Sequence, residues 1–175
     1  NMDFPRLVNS AKKMIMLVSM ASEIGALSHE LDRLSERNRR YRDFTLNLLT
    51  FAVREIMAAL RVYRTYITHP EKISVRDRLY LESAVDEAKQ LNPRTSESLF
   101  DFLQDTLLLR NLASFAPVDQ PRLINWAMKF QQLTGPVTAK GRRRANAWWP
   151  RCGAAPGRRP QAARGERMAP RLPRS

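Results

Sequence analysis

The chain has 175 residues, of which 43% are hydrophobic and 27% charged, with a formal net charge of +13. That length suffices for one domain with its own core. The only cysteine, Cys152, excludes an intrachain disulfide and a cysteine-based metal site. Low cysteine usage is typical of the cytoplasm, where we expect this protein.

The positive charge is concentrated at the C-terminal end. Residues 142–175 hold ten of the 30 basic residues and one of the 17 acidic ones, which leaves a net charge of +4 on residues 1–141. From Gly141 onward Arg, Ala, Pro and Gly dominate, and such a segment buries too little apolar surface to offset chain entropy. The sequence therefore predicts a helical unit over 1–140 and a disordered tail over 141–175. G+C-rich codons supply these four residue types, so we expect residues 142–175 to come from a shifted reading frame or an artificial junction.

The first predicted helix runs from about residue 9 to 40. Its apolar residues alternate at threes and fours and so form one stripe: Leu17, Met20, Ile24, Leu27, Leu31 and Leu34. The apolar run from Met14 to Met20 follows two lysines and also fits a signal peptide. It is much shorter than the ~20 residues of a membrane span, and its helical spacing favours a buried helix.

Four further helices are predicted. The second runs from about 43 to 63, capped by Asp43, with an inward face of Phe44, Leu48, Phe51, Ile56 and Leu60. The third runs from Ser74 to about Leu91, the fourth from 95 or 96 through 108, and the fifth from Asp119 to Gly135-Pro136. Residues 136–140 then predict a short strand without a partner. The expected fold class is all-α, with about five helices and one aborted strand.

Most candidate chemistry has an ordinary structural interpretation. Asp101 and Asp105 share a helical face, which is more typical of a solvated surface beside Lys or Arg than of a metal site. His29 and His69 lack the spacing of metal ligands. The sequence therefore predicts no metal or other cofactor and no catalytic residue.

Three segments that contain basic or aromatic residues have either a binding role or a structural role, and the sequence does not decide between them. The cluster from Glu36 to Asp43 suits either phosphate contact or the C-terminal end of a helix. Trp148-Trp149 resembles a stacking platform for single strands but lies in the suspect tail. The segment Val62-Tyr-Arg-Thr-Tyr66 suits sugar faces and hydroxyls as well as ordinary packing.

Three blocks carry a family resemblance. They are Met20-Ala-Ser-Glu-Ile24 with Leu27-Ser-His-Glu-Leu-Asp-Arg33; Arg42-Asp-Phe-Thr45 with Val62-Tyr-Arg-Thr-Tyr-Ile67; and Lys129-Phe-Gln-Gln-Leu-Thr-Gly-Pro-Val-Thr-Ala-Lys-Gly141. In order and spacing, residues 4–141 resemble the maltooligosyltrehalose synthases of the α-amylase superfamily. The third block is the most specific.

The resemblance implies a longer, bacterial, cytoplasmic isomerase of carbohydrate metabolism, of which this chain would be a fragment. Its (β/α)8 barrel would carry these helices as an insertion. It would convert the reducing-end α-1,4 linkage of a maltooligosaccharide to an α,α-1,1 linkage by intramolecular transglucosylation, a step of trehalose biosynthesis, without a cofactor. The nucleophile and acid/base of such retaining chemistry stand about 5 Å apart. In this family both would precede Asn1.

The resemblance stops after Gly141. The family continues Val-Glu-Asp-Thr-Ala-Phe-Tyr, whereas this chain reads Arg142-Arg-Arg-Ala145. We therefore expect the chain to be inactive alone. The candidate substrate-binding residues are Tyr63, Arg64, Tyr66, Gln131 and Lys140, for which helix packing and strand anchoring are equally open.

The expected partner of the intact enzyme is a maltooligosaccharide or short α-1,4-glucan, with no membrane. Nucleic acid is expected to bind only non-specifically, through the Arg-rich tail. The alternatives are a small basic nucleic-acid-binding protein and a helical interaction module whose apolar stripes hold a partner chain.

Overall fold

The computed structural model describes residues 3–149, and within them all regular structure is helical. The described residues form six α-helices, α1 (Phe4–Val18), α2 (Ala21–Glu36), α3 (Leu46–Ala59), α4 (Val75–Leu91), α5 (Glu97–Leu107) and α6 (Gln120–Trp148). Short 3₁₀ turns cover Pro70–Lys72 and Leu112–Ser114. The predicted all-α class is confirmed. No helix within this described range is both long enough and apolar enough to cross a membrane.

The first predicted helix is two helices. The chain turns at Ser19 and Met20, where the Met20 N–H donates to the Ile15 carbonyl at 3.1 Å. Met20 and the four later stripe residues are buried, as predicted, but Leu17 is 51% exposed. The turn redirects the chain so that α1 buries Ile15 and Met16 while α2 buries Ile24. A periodic apolar pattern does not mark such a turn, because both helices keep the same spacing.

Capping residues account for several helix starts. Ser74 Oγ accepts from the Asp77 N–H at 3.0 Å, which confirms the predicted start of α4. The prediction that Asp43 caps α3 is wrong. Thr45 takes that role, its hydroxyl accepting from the Leu48 N–H at 3.4 Å, and α3 therefore begins at Leu46.

The predicted inward face of α3 is buried in part. Ile56 and Leu60 are buried and Phe44 and Phe51 are half-buried against the core, whereas Leu48 is 42% exposed. The core is continuous across all six helices, and Trp126 and Phe130 of α6 are among its largest fully buried side chains. The Trp126 indole N–H donates to the Leu27 carbonyl at 2.8 Å and so ties α6 to α2.

The predicted end of the last helix and the predicted strand over 136–140 are both wrong. Pro136 lies inside α6, which continues to Trp148. A proline inside a helix costs about 3 kcal/mol, but Pro136 faces solvent, and beyond it α6 buries Val137, Thr138, Gly141 and Ala145. A helix also satisfies its own backbone hydrogen bonds, which a lone strand does not.

The predicted tail boundary is therefore not a structural boundary. Ala145 packs with Leu7 and Ala11 of α1, and the ring of Trp149 contacts that of Phe4 edge-to-face, with 5.3 Å between centroids. Disorder is thus a wrong expectation for residues 141–148. The remainder of the predicted tail, residues 150–175, lies outside the described range.

Candidate functional site

The segment between α3 and the Pro70–Lys72 turn runs along α6. Leu60 ends α3 with extended backbone (φ −62°, ψ 119°), and no regular structure follows until Pro70. Extended segments of this kind rely on outside groups for their hydrogen bonds. Here α6 supplies them.

Gln131 is the principal anchor of this segment. It is 3% exposed. Its Oε1 accepts from the Ile67 N–H at 2.7 Å and from the Thr65 hydroxyl at 3.0 Å. Its Nε2 donates to the carbonyls of Ile67 at 2.9 Å and Ala127 at 3.1 Å. An amide has two donors and about two acceptor positions, so Gln131 is saturated by the protein and positions the segment instead of facing solvent.

Tyr63 rests directly on α6. Gly135 leaves room for its ring, since a Cβ at residue 135 would lie 2.9 Å from Tyr63 Cζ. The Thr134 hydroxyl donates to the Tyr63 carbonyl at 3.0 Å. The side chain nevertheless stays 61% exposed. Thr134 therefore anchors the backbone at residue 63, and Gly135 leaves room for the exposed ring of Tyr63 to rest on the helix.

Tyr66 is also exposed, but its backbone is held by α4 instead of α6. It is 70% exposed, and its N–H donates to Asp77 Oδ2 at 3.3 Å. The Arg64 guanidinium carbon lies 5.4 Å from the centroid of the Tyr66 ring, within the range of a cation–π contact. Arg64 and Tyr66 thus lie against each other, and Tyr63 precedes them on the same segment; we call these three residues the tyrosine surface.

Lys140, the fifth predicted site residue, stands apart. It is exposed on α6, beyond Pro136 and more than one helical turn from Gly135. Of the five predicted residues, the structure pairs Arg64 with Tyr66, rests Tyr63 on α6, and bonds Gln131 to the same segment. Lys140 lies outside this group.

A second polar cluster lies where α1 meets α6, and sequence reasoning missed it. Lys12 is 3% exposed. Its Nζ donates to the Leu60 carbonyl at 2.5 Å and to the Ala58 carbonyl at 3.3 Å, which are among the carbonyls left free at the end of α3. Burial, reinforced by the positive charge of Arg142, lowers the pKa of Lys12 from 10.5 to about 8, and the Glu87 carboxylate opposes that shift.

The other candidates have structural partners or stay on the surface. Asp101 Oδ1 accepts from Lys89 Nζ at 2.5 Å, an ion pair on a solvated face as expected. Within the basic cluster, Arg37 pairs with the buried Asp119 at 2.7 Å. His29 and His69 are exposed. Residues 3–149 contain no group of three or more His, Cys, Asp or Glu side chains arranged to hold a metal ion.

The tryptophans after the predicted boundary pack within the helical unit. The Arg144 guanidinium carbon lies 4.7 Å from the Trp148 ring centroid, and Trp148 and Trp149 are half-buried against the Leu7–Ala11–Ala145 cluster. These rings are therefore partly engaged by their own chain.

Comparison with known proteins gives no relative: no protein-family model, no curated protein and no solved structure matches this chain. The resemblance to the maltooligosyltrehalose synthases, which depends on the three sequence blocks, stays a prediction.

Proposed function

We propose that the chain is the helical part of a maltooligosyltrehalose synthase-like protein of the cytoplasm, and that the tyrosine surface contacts an α-1,4-glucan. The observation that carries this proposal is the presence of two exposed tyrosine rings on a backbone segment that hydrogen bonds hold in place. Thr134, Gly135 and Gln131 of α6 hold the segment in place while Tyr63 and Tyr66 remain more than half exposed.

The chemistry of the tyrosine surface suits a sugar. An aromatic face packs against the apolar C–H face of a pyranose, and a phenol or guanidinium exchanges hydrogen bonds with its hydroxyls. Side chains held in place before binding lose little rotamer freedom, which favours affinity for a weakly hydrophobic ligand. The fixed backbone of residues 63–67 provides that preorganisation.

We also propose that this chain does not catalyse the isomerisation. Arg142–Arg144 stand where the family has Val-Glu-Asp, so the acidic pair of that motif is missing from this sequence. A retaining mechanism requires both a carboxylate nucleophile and a carboxylic acid/base. Incubation with maltopentaose is expected to leave the reducing-end signal unchanged, and measurable conversion would refute the inactivity.

The glucan-binding proposal is tested by titrating ¹⁵N-labelled protein with maltoheptaose. We expect saturable shifts at residues 63–67 that are abolished in the Tyr63→Ala/Tyr66→Ala double variant. Tyr80→Ala is the matched control, because Tyr80 also lies under an arginine, with Arg76 at 5.6 Å from its ring centroid, but belongs to α4. Binding that survives the double variant, or is lost equally in Tyr80→Ala, would contradict the proposal.

The origin of the Arg-rich end is a separate part of the proposal. We propose that residues 142–175 derive from a shifted frame. Residues 142–148 of this segment extend α6. Resequencing the gene across the Gly141 codon tests this. Finding Val-Glu-Asp-Thr-Ala-Phe-Tyr in another frame would support a frame shift, and its absence from all three frames would overturn it.

Non-specific nucleic-acid binding is a second candidate function. Arg142 and Arg143 are exposed on an ordered helix and so present adjacent positive charges at fixed positions. Phosphate contacts of this kind weaken steeply with salt. Single-stranded DNA binding that disappears in the Arg142→Gln/Arg143→Gln variant would favour this candidate, whereas unchanged binding would exclude these residues as its basis.

A further inference from the structure

A cavity of about 200 Å³ opens where α1, the end of α3, α4 and α6 meet. We call it the α1–α6 cavity. At roughly 30 Å³ for each water molecule, it has room for about six or seven waters or a small organic molecule. Its apolar wall is formed by Phe4, Pro5, Val8, Ala58, Ala59 and Leu60.

Positive charge prevails on the polar side of the cavity. Lys12, Arg61 and Arg142 line it together with one carboxylate, Glu87. Glu87 is already engaged, because Arg61 donates to its Oε2 through Nη2 at 2.9 Å and Nε at 3.3 Å. The ammonium group of Lys12 and the guanidinium group of Arg142 therefore provide the uncompensated charge.

Two further polar groups on the cavity wall lack a partner among the described residues. Asn9 Nδ2 and Thr138 Oγ1 are buried atoms without a hydrogen bond, and Thr138 is only 6% exposed. Buried polar groups are nearly always paired in folded proteins, and leaving one unpaired is costly. An amide donor and a hydroxyl beside two cations match the oxygens of a carboxylate.

We propose that the α1–α6 cavity binds a small organic monocarboxylate, with the carboxylate near Lys12, Asn9 and Arg142 and a short apolar chain against the α1 and α3 wall. A single negative charge fits better than a phosphate dianion, because the Glu87 carboxylate also lines the cavity. The apolar wall gives an aliphatic acid an advantage over an inorganic anion. This site is independent of the tyrosine surface and is a property of the chain as it folds, whatever the origin of residues 142–175.

The protonation of Lys12 provides a second signature of the site. Burial lowers the pKa of Lys12 to about 8, so the charged fraction of Lys12, and with it the affinity for a carboxylate, falls as the pH rises from 7 to 9. The charged groups that face Lys12 are Arg61 after α3, Glu87 on α4 and Arg142 on α6. Binding at pH 8 is accompanied by proton uptake, since a nearby anion favours the charged amine.

Hexanoate is the probe, titrated into the full chain and followed by calorimetry and by ¹⁵N shifts. We expect saturable binding at residues lining the cavity and at least tenfold weaker binding of hexanamide, which has the same apolar chain without the charge. Arg142→Gln and Asn9→Asp should each weaken hexanoate about tenfold or more, because each removes a charge-assisted contact or adds repulsion. Both positions are outside the core clusters, so the fold should survive these changes.

Arg143→Gln is the matched control, since Arg143 is the next residue of α6, is exposed and does not line the cavity. It should retain hexanoate affinity within about twofold. Absence of saturable binding, equal binding of hexanamide, or equal losses in Arg142→Gln and Arg143→Gln would overturn the proposal. Affinity that stays constant between pH 7 and 9 would also overturn it.

Discussion

Helix α6 meets two distant parts of the chain, and it satisfies their polar groups differently. At Gln131 it holds residues 65–67 with an amide whose hydrogen bonds are all made within the protein. About two turns later, at Thr138, it faces α1 across a cavity in which Thr138 Oγ1 and Asn9 Nδ2 have no partner among the described residues. We call these the Gln131 joint and the Lys12 joint.

This difference distinguishes polar groups whose hydrogen bonds are all made within the protein from polar groups that can still bond to a ligand. A saturated buried amide specifies one backbone arrangement and has little left for a ligand. A buried amine with a lowered pKa beside unpaired donors retains capacity for a partner. The exposed rings above the Gln131 joint and the cavity at the Lys12 joint are therefore expected to bind different chemical classes.

The largest expected effect is the loss of the Gln131 amide. Gln131→Met keeps a similar shape but leaves the Ile67 N–H and the Thr65 hydroxyl buried without their partner, which we expect to lower the free energy of unfolding by about 4 kcal/mol. Chemical denaturation measures this. Gln132→Met is the control, since Gln132 is exposed and should change stability by less than about 0.5 kcal/mol. Similar losses in the two variants would contradict the anchoring role.

The Lys12 joint should appear in the pH dependence of stability. The pKa of Lys12 is about 8 in the folded protein, compared with 10.5 for an ordinary lysine. Between these values the unfolded chain binds more protons, so the free energy of unfolding rises with pH, by on the order of 3 kcal/mol in total. Lys12→Met should remove this contribution, whereas Lys13→Met, which leaves Lys12 intact, should keep it. Identical pH profiles for the two variants would refute a buried, pKa-shifted Lys12.

Close packing at the Lys12 joint is tested by Gly141→Ala. The added Cβ would lie 2.6 Å from Lys12 Cγ and 3.2 Å from Lys12 Cα, so backbone as well as side chain must move. We expect a loss of about 2 kcal/mol. Gly25→Ala meets nothing within 4 Å and should gain up to about 1 kcal/mol from helix propensity. A gain in both variants, measured by thermal unfolding, would mean that α6 does not contact α1 at Gly141.

The smallest expected effect is that of Gly135→Ala at the Gln131 joint. The three atoms nearest to its Cβ would all belong to the Tyr63 side chain, which is exposed and can move. The higher helix propensity of Ala offsets the loss of the contact with Tyr63. The free energy of unfolding should therefore stay within about 0.5 kcal/mol of that of the unmodified chain. The ring resonances of Tyr63 should shift, while those of Tyr80 should not. An unchanged Tyr63 spectrum would show that its ring does not rest on Gly135.

Local signals in the sequence predict much of the fold. The stripe from Ile24 to Leu34 and the capping pattern at Ser74 identify α2 and α4, because periodicity and capping are properties of neighbouring residues. The course of α6 could not be predicted in this way. Gly135-Pro136 is a strong local stop signal, and tertiary packing on α1 overrides it. The spacing of Val137, Gly141, Ala145 and Trp148 continues the helical period and was the available signal.

The candidate sites divide in the same way. Tyr63, Arg64 and Tyr66 are neighbours in sequence and so were recognisable as a mixed aromatic and basic segment. Asn9, Lys12, Glu87, Thr138 and Arg142 come from three helices, and their meeting depends on how α1, α4 and α6 pack. No spacing rule along the chain brings such residues together.

The continuity of α6 through Pro136 and Gly141 is the central claim, because both the Lys12 joint and the α1–α6 cavity depend on it. Amide hydrogen exchange of the full chain, read residue by residue by NMR, tests it most directly. We expect slow exchange at Val137, Thr138, Gly141 and Ala145, comparable with that at Phe130. Exchange at unprotected rates from Val137 onward, with protection up to Leu133, would contradict it.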